Sequence, residues 1–279
     1  MTGVRLPSFI VIGAAKAATT WIAHQLRSRP DVFMPGPEPH FFSRDHGKVA
    51  RYAQWFGGAQ ADQMVGEKSA DYLADPDAAQ RMADLLPTVR LVAQLRDPVA
   101  RAYSDYRMLF RRGQVGNDIA AYLDRARTTM PRFLDDGLYA QHLERWFDHF
   151  PREQIKIILH DDISVAPESV AADVADFLGL PRLPLADAQR RVNDGAAAVL
   201  PLALRRLPQP LKKLAAPLRG KRAFDQVRGL FARPVVYPAL PDDVRRRVED
   251  FYRDDIVRLE QMIDRDLSHW KARQRSVAA

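Results

Sequence analysis

The chain has 279 residues, 47% of them hydrophobic and 28% charged, which is enough apolar material for a sizeable core and too much for wholesale disorder. It contains no cysteine, which excludes a disulfide framework, a thiolate nucleophile and any cysteine metal site, and fits a reducing compartment. Lys and Arg number 42 against 35 Asp and Glu, leaving a formal charge of +7 and a mild bias toward anionic ligands.

The first element is the apolar, β-branched run Phe9-Ile10-Val11-Ile12, a buried strand over residues 8–12 that stops at Gly13. A helix over 19–29 follows, with Trp21, Ile22 and Leu26 at helical spacing, and Pro30 ends it. Strand, tight turn and helix at the start of a chain are the opening unit of a parallel α/β fold. A second strand over 89–95 runs into Arg96-Asp97-Pro98, where Asp97 suits an N-cap and Pro98 a first helical turn. That helix carries Tyr103, Tyr106 and Phe110. Further helices are expected over 117–129 and 138–150, a third strand over 154–159, and a helix over 164–178 closed by Gly179. Residues 201–238 differ in kind: Lys and Arg recur from Arg205 to Arg233 against the single acid Asp225, and prolines interrupt throughout. One long amphipathic helix over 241–264 follows, capped by Asp242 or Asp243, before a loose tail from Trp270. No linker divides the chain, so the expectation is one α/β domain with a variable basic insertion at about 201–238.

No segment has the layout of an export signal, because the opening apolar stretch is interrupted by Arg5 and runs into Gly13 and Lys16. No run reaches the roughly 18 apolar residues of a membrane span. The expectation is a soluble, cytoplasmic protein, with a homo-oligomer left open.

The chemistry starts at Gly13-Ala14-Ala15-Lys16-Ala17-Ala18-Thr19-Thr20. A strand-to-helix turn offers unpaired backbone N–H groups at the positive end of a helix dipole, where phosphate fits. Lys16 adds an ammonium; Thr19 and Thr20 add hydroxyls. The lysine precedes the threonines by three positions and no Gly-Lys-Thr occurs, so this is not a Walker A loop; the spaced glycines of a dinucleotide fingerprint are missing as well. The plain alternative is an alanine-rich turn with a surface lysine. Arg96 repeats the geometry after the second strand, at the edge where open α/β sheets bind ligands. Ser104 lies two turns into the next helix, on a face that an Arg96-bound anion reaches. The alternative makes Arg96 a partner of Asp97 or of a helix end.

Ile12-Gly13-x-x-Lys16-x-x-Thr19-Thr20, Glu38-x-His40-Phe41-Phe42, Gly66-Glu67-Lys68-Ser69-x-x-Tyr72 and Arg96-Asp97-Pro98-x-x-Arg101-x-Tyr103-Ser104-x-Tyr106 together resemble the sulfotransferases that use 3'-phosphoadenosine-5'-phosphosulfate (PAPS). Within that superfamily the chain looks most similar to bacterial members of the group that contains the heparan sulfate sulfotransferases. The resemblance implies a P-loop-like α/β fold with a central, mostly parallel sheet flanked by helices. It implies that residues 13–20 hold the 5'-phosphosulfate, that Arg96 and Ser104 bind the 3'-phosphate, and that Glu38 is the general base with His40 nearby. It implies too that Lys68 lines the cleft near donor and acceptor. Gly220, Lys221 and Arg222 are the candidates for a late segment over the adenosine 3'-phosphate. The vertebrate glycan enzymes carry a disulfide in that late region, which this chain cannot form. Ala18 stands where family loops carry glycine; if its backbone is already helical, the cost is small.

The implied reaction moves a sulfuryl group from PAPS to a hydroxyl of a carbohydrate, glycolipid or small-molecule natural product. Glu38 takes the acceptor proton while Lys16, Lys68 and loop N–H groups stabilise charge on the leaving phosphate. No metal is expected, because side-chain cations take its place and the seven histidines show no ligand spacing. Tyr139 is a candidate for the acceptor side of the cleft, Glu67 a structural partner of Lys68 or a loop N–H, and Tyr72, Tyr103 and Tyr106 packing residues with one polar contact each. Two rival classes are a Mg²⁺-dependent P-loop kinase-like phosphotransferase and a basic nucleic-acid-binding module. The second has no recognised motif and little aromatic interleaving among its arginines, so no nucleic-acid partner is expected.

Overall fold

The computed structural model describes residues 5–186 and 235–272. In chain order the elements are β1 (Phe9–Gly13), α1 (Thr19–Arg27), β2 (Val32–Phe33), a π turn (Phe41–Asp45), α2 (Val49–Gln54), β3 (Met64–Lys68), α3 (Ala78–Leu85), β4 (Arg90–Leu95), α4 (Pro98–Arg111), α5 (Ala120–Leu123), α6 (Arg132–Asp135), α7 (Tyr139–Phe147), a 3₁₀ turn (Arg152–Gln154), β5 (Ile155–Leu159), α8 (His160–Val165), α9 (Pro167–Leu178), α10 (Asp242–Ile263) and α11 (Ser268–Ala272).

All four strand pairings are parallel, and the spatial order is β2-β3-β1-β4-β5. A parallel sheet needs cover on both faces, and the strand alternation supplies it. Ile10 and Ile12 of β1 join Leu91, Ala93 and Leu95 of β4 in one core, roofed by side chains of α4, α7 and α10. Phe9 and Val11 face the other way with Val92 and Ile158, against α1 and α9. The α/β expectation therefore holds. None of the described helices is long and apolar enough to cross a membrane.

The departures from the sequence expectations have local causes. Residues 117–129 yield only α5: Asp118 accepts from the Ala121 N–H at its start, and Asp124, extended at its end, accepts from the Ala126 N–H and turns the chain out of the helix. The helix expected over 164–178 is split into α8 and α9: Ala166, ahead of Pro167, is driven to φ −142°, ψ 66°. Pro241, not an aspartate, precedes α10; Asp242 and Asp243 sit inside its first turn, on the favourable end of the dipole. Trp270 is not part of a loose tail. It is 2% exposed and donates Nε1–H to Asp161 Oδ2 at 2.7 Å. β2 and β3 were not expected as strands, since β2 is two residues long and β3 carries Gly66, Glu67 and Lys68. Gly66 is required there: a Cβ would fall 2.0 Å from the ring of Phe9 on β1. Most of the basic stretch at 201–238, with Gly220, Lys221 and Arg222, lies outside the described residues.

Candidate active site

β1 is the centre of the sheet, with β3 on one side and β4 on the other, so the carboxyl ends of these three strands form the switch-point edge. Each end delivers one group of site residues. β1 leads into the 14–18 loop, β3 into Lys68 to Asp71, and β4 into Arg96 and Asp97.

The loop after β1 is held from β4. Ala14 donates its N–H to the Gln94 carbonyl at 2.8 Å, the buried Gln94 amide donates to the Ala17 carbonyl, and Arg96 Nη1 donates to the Lys16 carbonyl at 3.4 Å. Gly13 has φ 146°, and a Cβ on it would lie 2.7 Å from the Ala70 carbonyl oxygen. Lys16 and Ala18 are both left-handed, at φ 69° and 67°. Ala18 thus lacks the helical angles that would have made its side chain harmless, and it carries left-handed strain of about 1 kcal/mol. No side chain caps α1, and its first turn has no acidic residue. Thr19 is buried and Thr20 half-buried in that turn.

Lys16 is half-buried, with Nζ 3.5 Å from Met108 Sδ. Burial lowers its pKa; the guanidinium groups of Arg112, Arg96 and Arg101 push the same way, and Asp105 opposes them. So much positive charge around a partly desolvated ammonium fits a phosphorylated anion. Asp97 caps α4 as expected, accepting from Val99 and Ala100 N–H at 2.9 and 3.2 Å. Ser104 is half-buried on α4. Its neighbour Tyr103 donates to the Pro238 carbonyl at 2.8 Å, and Arg107 lies 4.2 Å from the centroid of the Tyr237 ring, so residues 237–238 pack on this helix.

Across the cleft, Glu38 accepts from two sides. Lys68 Nζ is 2.5 Å from Oε1, and the Ala70 N–H donates to Oε2 at 2.9 Å. His40 is left-handed at φ 52°, its N–H donating to Ser69 Oγ at 3.0 Å. The imidazole places Nδ1 2.8 Å from Asp71 Oδ1 and Nε2 4.0 Å from Glu38 Oε2. A cavity of about 200 Å³, lined by Ala14, Ala15, Ala70, Asp71 and Arg132 among others, joins the loop to this cluster. Glu38, His40 and Asp71 also hold ligand-capable atoms within 4.8 Å of one another, a set able to receive a cation. Lys68 already supplies positive charge at Glu38.

Glu67 takes neither partner expected of it. It is fully buried and accepts from three hydroxyls: Tyr52 at 2.8 Å, Tyr72 at 3.0 Å and Ser69 at 2.8 Å. Burial pushes its carboxyl up to about 7 against the pull of those hydrogen bonds. Tyr139 does not line the cleft: it is 1% exposed and packs edge-on to Trp270, because α7 turns this side chain into the core. Tyr103 and Tyr106 behave as expected, the latter donating to the Gly116 carbonyl at 2.8 Å. Two contributors were missed. Gln94 was signalled by a polar residue within an apolar strand; Asp71 had no sequence signal.

A parallel sheet whose central strand opens a cationic loop, with a lysine-held carboxylate at the same edge, is an α/β fold with a candidate anion site at its switch point. The chain belongs to the sulfotransferase domain family, which matches residues 6–192. It is 29% identical over 272 residues to human heparan sulfate glucosamine 3-O-sulfotransferase 3B1, covering 94% of this chain and 64% of that protein. The chain therefore spans slightly less than two thirds of that relative. With human heparan sulfate glucosamine 3-O-sulfotransferase 6 the identity is 30% over 277 residues, covering 94% of this chain and 73% of the other. A crystal structure of a sulfotransferase from Alicyclobacillus acidocaldarius superposes with a TM-score of 0.72 at 26% identity, covering 96% of this chain and all of that one.

Proposed function

We propose that the protein transfers a sulfuryl group from PAPS to a hydroxyl of a carbohydrate, glycolipid or small-molecule acceptor, as one sulfotransferase domain with a basic insertion at about 201–238. The observation that carries this reading is the Lys68–Glu38 pair, set beside the Lys16 loop at one sheet edge. Glu38 takes the proton of the acceptor hydroxyl, the oxygen bonds to sulfur, and the bond from sulfur to the 5'-phosphate oxygen breaks. The products are the sulfate ester, 3'-phosphoadenosine 5'-phosphate (PAP) and a proton. Lys16 and Lys68 stabilise the charge on the leaving phosphate, and Arg96 with Ser104 holds the 3'-phosphate. Similarity to the heparan sulfate 3-O-sulfotransferases supports a glycan-type acceptor within this class.

The reaction is proposed to run without a metal, the cationic side chains taking that role. The test combines calorimetry with a mass-spectrometric acceptor screen. PAP should bind without Mg²⁺, ATP–Mg²⁺ should bind poorly, and PAPS should sulfate an acceptor in the presence of EDTA. Tight ATP–Mg²⁺ binding with weak PAP binding would instead identify a phosphotransferase.

A further inference from the structure

We propose that Asp71 is a positioning residue that fixes the tautomer and orientation of His40, making His40 Nε2 the relay that draws the acceptor proton off Glu38. The proposal rests on the sulfotransferase reading and adds a second proton acceptor to it. A carboxylate can only accept, so the 2.8 Å contact between Asp71 Oδ1 and His40 Nδ1 places the ring proton on Nδ1. Nε2 then presents a lone pair toward Glu38. Asp71 is itself anchored: Oδ2 accepts from Ser43 Oγ at 3.0 Å, and Arg44 Nη2 lies 3.6 Å away. The backbone of His40 is fixed independently, by its N–H on Ser69 Oγ and by Ser69 Oγ donating to the buried Glu67. Ring and backbone therefore have separate supports, and the left-handed φ of His40 is the conformation they impose.

The 4.0 Å gap between His40 Nε2 and Glu38 Oε2 is too long for a hydrogen bond. It is the right base for a bent arrangement in which one oxygen sits at about 2.8 Å from both atoms. An acceptor hydroxyl beside Oε2 donates its one proton to Glu38, and the bridging position is open to a water only after the product has left. The proton moves to Oε2 as the oxygen attacks sulfur and the bond from sulfur to the 5'-phosphate oxygen breaks. Once the ester leaves, a water takes the bridging position, accepts that proton from Glu38 and gives one of its own to Nε2. The resulting imidazolium keeps its Nδ1–H on Asp71, and the Glu38 carboxylate is restored beside Lys68. His40 is about a quarter exposed, which gives the proton an exit to solvent. The arrangement of base and orienting carboxylate is the one seen wherever a histidine must present a single nitrogen.

The test uses the full chain with ¹⁵N-labelled histidine. Long-range ¹⁵N–¹H correlation reads the His40 tautomer without any need for turnover, and His40→Gln assigns the signal. The expected wild-type result is Nδ1–H. Asp71→Asn should mix the tautomers and lower kcat by about 10- to 100-fold, less than loss of the base itself, with PAP affinity unchanged. Asp71→Glu should recover part of the rate. A wild-type Nε2–H tautomer would overturn the proposal, as would an Asp71→Asn variant with unchanged tautomer and kcat. If PAP affinity instead falls in step with rate, Asp71 is a support of the loop and not a positioner of His40. Failure of the sulfotransferase reading shows separately, as wild-type protein that neither binds PAP nor sulfates any acceptor; that outcome removes the relay, while the tautomer still decides the positioning.

Discussion

Lys68 Nζ lies 2.5 Å from Glu38 Oε1, joining the end of β3 to the turn before the π helix. The contact orients the carboxylate and leaves Oε2, held by the Ala70 N–H, as the face toward His40. Glu38→Gln keeps the shape and removes the base. Its kcat should fall by roughly 10²–10⁴ with PAP affinity little changed. Steady-state rates beside calorimetry check this. Near-normal turnover would transfer the base role to His40, and collapse of PAP binding would make Glu38 a support of the loop.

Arg96 and Lys16 should separate by the step at which each acts. Arg96 is assigned to the 3'-phosphate, which does not change during transfer, so Arg96→Ala should raise the PAP dissociation constant and spare kcat. Lys16 is assigned to the phosphate that gains charge, so Lys16→Ala should cut kcat more than it weakens PAP. The lowered pKa of Lys16 adds a second readout. A bound polyanion pulls that pKa back up, so PAP binding on the alkaline side, below the usual lysine value, should take up protons in the wild type and fewer in Lys16→Ala. Calorimetry in buffers of different ionisation enthalpy measures the uptake, and equal values in the two proteins would refute the assignment.

Ala18 gives a stability prediction independent of function. Its φ of 67° is one that glycine adopts freely and alanine does not. Ala18→Gly should relieve the strain against a smaller entropic loss, for a net gain of up to ~1 kcal/mol and a rise in Tm of about 2–4 °C. The melting curve decides it, and a drop in Tm would mean that the alanine methyl contributes packing that outweighs the strain.

The contrast between Ala18 and Asp71 shows what the sequence carried. The loop at 13–20, Arg96, the Asp97 cap and the strands over 8–12, 89–95 and 154–159 are local patterns of spacing and β-branching, so they were legible. The conformation of Ala18 is set from outside the loop, by Gln94 and Arg96 holding the carbonyls of the two residues before it, Ala17 and Lys16. β3 was hidden because a central strand that packs against Phe9 and buries Glu67 does not look apolar. Tyr139 was misread for the opposite reason: its place in the chain says nothing about which side of α7 meets Trp270. The Asp71 contact joins residues 31 positions apart, and no local spacing encodes it.

Glu67 supplies the last prediction. Its carboxyl titrates near 4.5 when exposed and about 7 in the folded protein, raised by burial. Below about 4.5 both folded and unfolded chains hold the proton. Between about 4.5 and 7 the unfolded chain has released it while the folded chain keeps it, so the folded state binds more protons and stability falls as pH rises. Above about 7 both are ionised and the contribution is flat. The size of the step is roughly 3 kcal/mol at most. Glu67→Gln has no such titration, so urea unfolding at pH 5 and pH 8 should show a larger loss across that interval in the wild type than in the variant. The Gln amide also brings a donor among the hydroxyls of Tyr52, Tyr72 and Ser69, so the variant should be less stable at both pH values without inheriting the slope. Equal slopes in the two proteins would show that the three hydroxyl donors hold Glu67 ionised throughout. Ser69 would then anchor His40 through a permanently charged carboxylate.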